Sequence, residues 1–271
     1  MTGGPLPAPA RTRRVVVANQ KGGVGKTTTV VNLAVALAQG GLKVLVIDVD
    51  PQGNASTALG IPHQQGTRGT FEVLLDGTPL SDVVIESPEA AGLLVSPATI
   101  DLAGAELELV SVDARERRLK VAVEDFLRDH PADFIFYDCP PSLGLLTVNA
   151  LVAAKELLVP IQCEYYALEG VTQLTRTISL VTRNLNPELQ FWAVLLTMFD
   201  GRTRLASQVA EEVRSHFPGL ALETMIPRSV RISEAPSYGA SVIGYDPHSV
   251  GAKAYRAVAQ EIAERAAKED A

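Results

Sequence analysis

Eight residues near the start of the chain combine glycines with a lysine and a threonine in an order suited to phosphate binding. They read KGGVGKTT over residues 21–28, after an apolar run at 15–18 and before a helical apolar pattern that begins at Val30. Glycines let the backbone fold around an anion with its N–H groups pointing inward, and the helix N-terminus adds a positive dipole. Strand, glycine loop and helix are the context that such a loop requires. We therefore predict a nucleotide-phosphate site here.

The side chains of this loop predict how a nucleotide and its magnesium ion are held. Lys26 is expected to reach the β- and γ-phosphates, and the Thr27 hydroxyl to bind Mg²⁺. The usual pattern has a glycine at position 20, whereas this chain has Gln20 and a second lysine, Lys21. A tight turn alone would explain the glycines but not the Gly-Lys-Thr that follows them. The predicted nucleotide-binding residues of the loop are Gly22, Gly23, Val24, Gly25, Lys26, Thr27 and Thr28.

Aspartates follow two further apolar runs. Asp48 lies near the end of the run 43–49, and Asp50 follows this run just before Pro51. Asp138 follows the run at 134–137. Ligands of open α/β sheets gather at the carboxyl ends of the strands, so these carboxylates should lie beside the glycine loop. Asp138 has the form of a strand-end aspartate that holds Mg²⁺ opposite the loop threonine. A pair of carboxylates after a strand can also be part of an ordinary turn. The glycine loop predicted beside these two is what favours a functional role for them.

Alternating short apolar runs and helical stretches must position these residues. The alternation predicts a doubly wound α/β fold, in which a mostly parallel sheet is flanked by helices on both faces. The strands are apolar nearly throughout, as expected when both faces are buried. We predict strands at 14–19, 43–49, 92–95, 133–138, 156–161, 191–197 and 222–226, and helices at 26–39, 70–76, 114–129, 145–153, 168–185, 204–216 and 249–267.

The composition indicates one large domain. The chain has 271 residues, 46% of them hydrophobic, and we predict a disordered tail at 1–13, rich in Pro and Gly, before a single domain at 14–271. The tail runs into Arg11, Arg13 and Arg14, which could add a weak attraction to DNA. The net charge of −7 means that nucleic-acid binding would need a local basic patch. Two cysteines and no apolar run long enough for a membrane span point to a cytoplasmic protein.

The loop with its leading lysine resembles the deviant Walker A loop of the ParA/MinD ATPases. Residues 48–54, DVDPQGN, resemble the switch I motif of that family, and residues 139–144, CPPSLG, resemble its switch II. The resemblance implies an ATPase in which Lys21 crosses a sandwich dimer to the ATP of the second subunit. It also implies that Asp50 positions the attacking water and that Asp48 helps to organise the phosphate and metal site.

Later segments extend the resemblance over about residues 14–265. Residues 97–106 and 162–170 resemble chromosomal, Soj-type members; the tyrosines of the second segment could form a dimer contact or a core cluster. For the first segment only helix-start signals, at Thr99 and Asp101, can be derived. By resemblance Met198, Pro227 and Arg228 contact the nucleotide, with the last two framing the adenine, and the DNA-binding residues are Arg202 and Arg231.

One position departs from the family pattern close to the predicted DNA-binding arginines. Where an asparagine is usual, this chain has Arg204. The extra arginine could strengthen a basic patch, or it could form a salt bridge with Glu211 or Glu212. Both readings stay open at the level of the sequence.

The resemblance implies a function in DNA segregation, for a chromosome or a plasmid. ATP binding, with Mg²⁺, would drive homodimerisation and binding to non-specific double-stranded DNA of the nucleoid. A ParB-type partner would then stimulate an otherwise slow hydrolysis and release the DNA.

Three other functions fit the sequence less well. A MinD-like membrane-associated regulator would need a strongly apolar C-terminal helix, but the stripe Val250, Ala254, Val258 and Ile262 lacks Phe, Leu and Trp, so we expect this helix to pack on the sheet. A metabolic ligase would need substrate groups beside the γ-phosphate, and none is apparent. An iron–sulfur reductase would need two suitably placed cysteines per chain, whereas Cys139 and Cys163 are expected to be buried.

Overall fold

The computed structural model describes residues 4–164 and 169–269, which are organised around a seven-stranded sheet. The strand order is β3-β4-β2-β5-β1-β6-β7. All neighbouring strands are parallel except β3, which runs antiparallel to β4 at the edge. The strands are β1 (Arg13–Val17), β2 (Val44–Asp48), β3 (Ile85–Glu86), β4 (Leu93–Ser96), β5 (Phe134–Asp138), β6 (Glu156–Gln162) and β7 (Gln190–Thr197).

Helices connect the parallel strands and cover both faces of the sheet. Alternate side chains of β1 enter two separate cores: Val15 and Val17 pack with one helix layer, and Val16 with the other. The predicted doubly wound α/β fold is therefore confirmed. The helices are α1 (Lys26–Gln39), α2 (Asn54–Ala58), α3 (Thr70–Leu75), α4 (Leu102–Leu109), α5 (Arg118–Asp129), α6 (Leu145–Ala153), α7 (Glu169–Asn184), α8 (Arg204–His216), α9 (Val230–Glu234), α10 (Val242–Tyr245) and α11 (Val250–Glu269), with 3-10 turns at Leu80–Asp82 and Ala235–Tyr238.

Strand register brings the predicted functional segments together. Val17 of β1 and Asp48 of β2 both pair with Asp138 of β5, so the carboxyl ends of these three strands are level. The glycine loop leaves β1 at this edge, between the ends of β5 and β6. The sheet therefore holds the loop and both aspartate segments at one edge.

Several predicted elements need correction. Residues 222–226 are not a strand, because they form only isolated hydrogen bonds with β7, among them Leu222 N–H to Val194 O at 2.9 Å. The helix predicted from 114 begins at Arg118, because Ala114 has a positive φ of 51°. The two-residue strand β3 and the short helices α2, α9 and α10 were not predicted. The helix start that Thr99 and Asp101 indicate is confirmed, because α4 begins at Leu102, directly after Asp101.

The predicted N-terminal tail is partly built into the domain. Arg13 lies in β1 and is fully buried, with Nε 3.2 Å from Glu156, its guanidinium 5.1 Å from the centre of the Trp192 ring, and Nη2 against Glu269 at the end of α11. Glu269 also accepts a hydrogen bond from the Trp192 indole N–H at 3.0 Å. Arg14 is 9% exposed. Arg13 therefore joins the sheet to the last helix, Arg14 lies 3.7 Å from Glu124 of α5, and neither belongs to an exposed tail.

The last helix packs on the domain as predicted, although not with every predicted residue. Val258 and Ile262 of α11 are fully buried, in the core that α1 also enters, whereas Val250 is 63% exposed. The apolar side of α11 is thus largely occupied within the chain. Among residues 4–164 and 169–269, no helix combines the length and apolar character needed to cross a membrane.

Candidate functional site

The glycine loop has the backbone geometry of an anion cradle. Gly23 and Gly25 have positive φ angles of 73° and 90°, a region in which a residue with a Cβ would be strained. Gly25 precedes α1, whose first turn has no side-chain cap, so its N–H groups are left for a ligand. The Thr197 hydroxyl of β7 donates to Val24 O at 2.9 Å and anchors the loop. The backbone geometry of the loop therefore suits an anion such as phosphate.

Lys21 lies at the outer side of this loop. Its backbone N–H donates to the Asn19 side chain at 3.1 Å, and Asn19 in turn donates to Pro160 O at 2.8 Å. The Lys21 side chain is partly exposed next to the exposed Gly22, and within the described part of the chain it makes no ion pair. The structure thus holds the backbone of Lys21 in place, while its side chain stays partly exposed.

Asp138 is the residue best suited to a metal ion. It is fully buried, and neither of its carboxylate oxygens has a hydrogen-bond partner among the described residues. Burial raises its pKa well above the usual range and the nearby Asp48 raises it further, while Thr27 is close enough to lower it. A buried carboxylate without a partner is costly unless it binds a cation. The chain thus fits a Mg²⁺ ion held by Asp138 and Thr27.

The described residues offer few other ligands for a metal ion, and a lysine lies beside them. No group of three or more His, Cys, Asp or Glu side chains in the described part of the chain could hold a metal by itself. Mg²⁺ commonly takes its other ligands from phosphates and water, which suits a site with few protein ligands. Lys26 is 7% exposed, and burial lowers its pKa although the nearby carboxyl groups of Asp138 and Asp50 act to raise it. Lys26 is thus placed to exchange these carboxylates for phosphate oxygens.

Asp48 organises the switch I segment. Its carboxylate accepts hydrogen bonds from the Ser56 N–H at 2.9 Å, the Ser56 hydroxyl at 2.7 Å and the Asp50 N–H at 3.1 Å. Asp50 is 8% exposed, and one of its oxygens accepts from the Gln52 N–H at 3.0 Å. Asp48 therefore shapes the segment, and Asp50 stands closer to solvent at the open edge of the site. Ser56 was not recognised in the sequence, where a serine in a short helix carries no signal.

The carboxyl of Asp48 is expected to titrate near pH 6 in the nucleotide-free protein. Burial raises its pKa to about 6, although hydrogen bonds from Ser56 and Asp50 lower it. A raised carboxyl pKa means that the folded state holds the proton more tightly, so this stabilisation is present below about pH 4 and is lost as the pH rises to about 6. Carboxyl ¹³C NMR of wild type and Asp48→Asn would identify the resonance. A midpoint near pH 4 would contradict the expected effect of burial.

A cavity of about 390 Å³ adjoins the glycine loop. Gly25 and Thr28 of the loop line it together with Met198, Pro227 and Arg228. Met198 has an unusual positive φ of 53°, at the point where the chain leaves β7. The structure thus brings the three predicted nucleotide contacts to one cavity beside the phosphate loop, where a base and ribose could be accommodated.

The predicted DNA-binding arginines are both exposed and both paired with acids. Arg202 has a side chain 88% exposed and donates to both oxygens of Asp200, at 2.8 and 2.7 Å, which lowers the pKa of Asp200 to about 2. Arg231 lies 3.1 Å from Glu234 and 3.5 Å from Asp246. Arg204, at the start of α8, forms no salt bridge within the described residues, so of the two alternatives the pairing with Glu211 or Glu212 is not seen.

The cysteines are buried, as expected for structural residues. Burial raises the pKa of Cys139 well above its usual value and that of Cys163 to about 11, which keeps both thiols protonated. The tyrosines of the 162–170 segment, Tyr165 and Tyr166, lie outside the described residues. Their predicted roles in a core or an interface therefore stay predictions.

Comparison with known proteins places this site in a family. Residues 12–191 match a family described as an AAA domain. The chromosome partitioning protein ParA of Myxococcus xanthus is 50% identical over 253 residues, which is 93% of this chain and 88% of the relative. The sporulation initiation inhibitor protein Soj of Bacillus subtilis is 51% identical over 249 residues, covering 92% of this chain and 97% of the relative.

Solved structures show the same fold with nucleotide. A cobyrinic acid a,c-diamide synthase from Mycobacterium smegmatis with bound ATP analogue and magnesium superposes with a TM-score of 0.78 at 40% identity, covering 92% of this chain and 93% of that one. The septum site-determining protein MinD of Pyrococcus horikoshii, complexed with Mg-ADP, gives a TM-score of 0.74 at 25% identity, covering 93% and 96%.

The sheet, the phosphate loop and the strand-end aspartates define a protein of the P-loop ATPase class. The relatives that share about half of their residues with it over more than nine-tenths of its length make the class more specific. The chain belongs to the ParA/Soj family of chromosome partitioning proteins.

Proposed function

We propose that this chain is an ATPase of DNA segregation whose ATP-bound form is a sandwich dimer that binds non-specific double-stranded DNA. A ParB-type partner stimulates hydrolysis, and the return to monomers releases the DNA at the nucleoid. The observation that carries the proposal is the combination of a glycine loop with positive φ angles, an unpartnered buried Asp138 and a partly exposed Lys21 at the start of the loop. The first two supply a nucleotide site, and the third supplies a group for a second subunit.

The residues of one subunit divide the chemistry among them. Lys26 and the loop N–H groups hold the phosphates, and Thr27 and Asp138 hold Mg²⁺, which supplies charge neutralisation when bound. Asp50 orients the attacking water from the open edge of the site. Phosphoryl transfer depends mainly on positioning and charge stabilisation, so few reacting protein groups are needed.

DNA binding follows from the dimer in this proposal. With a net charge of −7, the protein must bind DNA through a local patch, for which Arg202, Arg204 and Arg231 are the candidates. Two copies of a weak patch on one particle bind much more tightly than one copy, so dimerisation makes DNA binding depend on nucleotide. Because Arg202 and Arg231 are already paired with acids, Arg204 brings the uncompensated charge.

Binding to non-specific duplex DNA tests this proposal directly. Binding with ATP, with ADP and without nucleotide at two salt concentrations should show a salt-sensitive complex with ATP alone. Arg202→Glu should weaken that complex about 100-fold or more, since it replaces a phosphate contact by repulsion in both subunits. Arg204→Ala should reduce the slope of log K against log salt by about 1 for each phosphate that the variant no longer neutralises.

A matched control separates this effect from a general change of charge. Arg128 is 75% exposed and is paired with Asp125 at 3.0 Å, much as Arg202 is paired with Asp200. Arg128→Glu should leave DNA binding within about twofold of wild type. Absence of DNA binding with every nucleotide would overturn the DNA role and leave the ATPase role standing. Hydrolysis that is fast without DNA or partner would favour a metabolic enzyme instead.

A further inference from the structure

The segment between β4 and the end of α4 contacts both loops that face the nucleotide site. At its start, the Ala98 N–H donates to the Ser56 hydroxyl at 3.1 Å, and this hydroxyl donates to Asp48 at 2.7 Å. At its end, the carboxylate of Glu106 accepts from the Leu146 N–H of α6 at 3.4 Å. Residues 98–106 therefore connect the switch I segment to the helix that follows switch II.

Gly144, the last residue of switch II, is shaped to receive Glu106. Its φ of −75° and ψ of −172° are open to any residue, so the backbone does not require glycine. A Cβ atom at this position would, however, overlap the Glu106 carboxylate. Since that carboxylate is the free end of a flexible side chain, even an alanine at position 144 would push it away from α6.

Glu106 supplies a cap that α6 lacks in its own sequence. Gly144 precedes the helix and offers no side chain, and no acidic residue lies in the first turn. A carboxylate near the exposed N–H groups of a helix start is stabilising. Because α6 begins where switch II ends, this contact fixes the end of switch II relative to α4.

We propose that Glu106 is a positioning residue that couples switch II to switch I, so that both segments respond together to the γ-phosphate. The proposal rests on the proposed ATPase function. At one end of residues 98–106, Ser56 links the segment to Asp48. At the other end, Glu106 contacts the start of α6. Neither Glu106 nor Gly144 is among the residues proposed to hold the nucleotide; their effect passes through the backbone of switch II.

The test compares Glu106→Ala, Gly144→Ala and the double variant. Both single variants should lower kcat by about five- to tenfold, the size expected from removing one carboxylate at a helix start. Affinity for ADP should change less than twofold, since ADP lacks the phosphate that the switches sense. The double variant should be no slower than either single variant, because both remove the same interaction. Glu106→Gln, which keeps an oxygen acceptor, should recover part of kcat.

Glu108→Ala is the matched control, since Glu108 is exposed on the same helix. It should leave kcat, ADP affinity and the melting temperature near wild type. Additive losses in the double variant, or an unchanged kcat in Gly144→Ala, would overturn the coupling. So would a loss of ADP affinity as large as the loss of kcat, which would indicate simple damage to the fold.

A binding measurement keeps this outcome separate from failure of the proposed function. The ratio of affinities for a non-hydrolysable ATP analogue and ADP, measured with fluorescent nucleotides, needs no turnover. If wild type does not hydrolyse ATP, the ATPase role fails, and a ratio that falls about fivefold in both single variants still supports the coupling. If wild type hydrolyses ATP and the ratio is unchanged in the two single variants, the coupling alone is refuted.

Discussion

Asp138→Asn is expected to slow Mg²⁺-dependent ATP hydrolysis by at least about 100-fold and, at the same time, to stabilise the nucleotide-free protein. The loss follows because, in the proposed function, Asp138 binds the cation and the variant is a poor ligand, and a bound cation contributes several kcal/mol of charge stabilisation. The gain follows because the buried carboxylate has no hydrogen-bond partner among the described residues. Replacing an unpartnered buried charge by a neutral group should contribute about 1–2 kcal/mol.

The stability gain of Asp138→Asn should change with pH in a defined direction. Burial raises the pKa of Asp138, so its unfavourable ionisation in the folded state grows as the pH rises. The stability gain of Asp138→Asn should therefore be larger at pH 8 than at pH 5, in thermal melts without nucleotide. Asp129→Asn, at the exposed end of α5, should change neither property. Hydrolysis within about threefold of wild type would exclude Asp138 as the metal residue.

Lys21→Ala is expected to abolish ATP-dependent dimerisation and to lower stimulated hydrolysis by about 10³-fold, while the monomer still binds ATP. In the proposed function Lys26 and the loop hold the phosphates, whereas the Lys21 side chain is partly exposed. A cation supplied from a second subunit acts on the transition state, and comparable arginines contribute about 10³–10⁵ in rate. Light scattering with a slowly hydrolysed ATP analogue measures the dimer, and Lys43→Ala, an exposed lysine before β2, is the control.

Mixed dimers decide whether Lys21 acts across the interface. When Lys21→Ala subunits are mixed with Asp50→Asn subunits, one of the two sites in a heterodimer receives an intact Asp50 from its own chain and an intact Lys21 from the other. Activity should then reappear in the mixture although each variant alone is inactive. If Lys21 acted within its own chain, neither site would be complete, and the mixture would stay inactive.

The parts of the fold that carry local signals could be predicted from the sequence. Helix α1 was predicted at the bounds that the structure has, because Gly25 precedes it and Gly40 follows it. The aspartates at the ends of β2 and β5 were placed beside the loop, because the carboxyl ends of parallel strands share an edge. These inferences use the chain direction and the residue type, both of which a sequence contains.

The remaining features depend on contacts between distant residues. Residues 222–226 have the composition of a strand, yet they contribute only scattered hydrogen bonds to β7. Arg13 looked like part of a basic tail, and its burial depends on Glu156 and on Glu269, which lies 256 residues further along the chain. The contact of Glu106 with Gly144 joins α4 to the residue just before α6, and the two are far apart in the sequence. None of these pairings leaves a periodic or local pattern in the sequence.

The contact of Arg13, Glu269 and Trp192 gives the protein a built-in optical reporter. Trp192 is the chain's one tryptophan, near the start of β7, whereas Thr197, at the far end of that strand, touches the phosphate loop. The indole is 3% exposed and hydrogen-bonded to the last turn of α11. Its fluorescence therefore reports on the packing of the C-terminal helix and on the sheet. Along β7 it lies roughly 16 Å from Thr197, the residue that contacts the phosphate loop. Tryptophan emission recorded during unfolding thus follows the sheet and α11. Nucleotide binding can be measured with a separate fluorescent nucleotide.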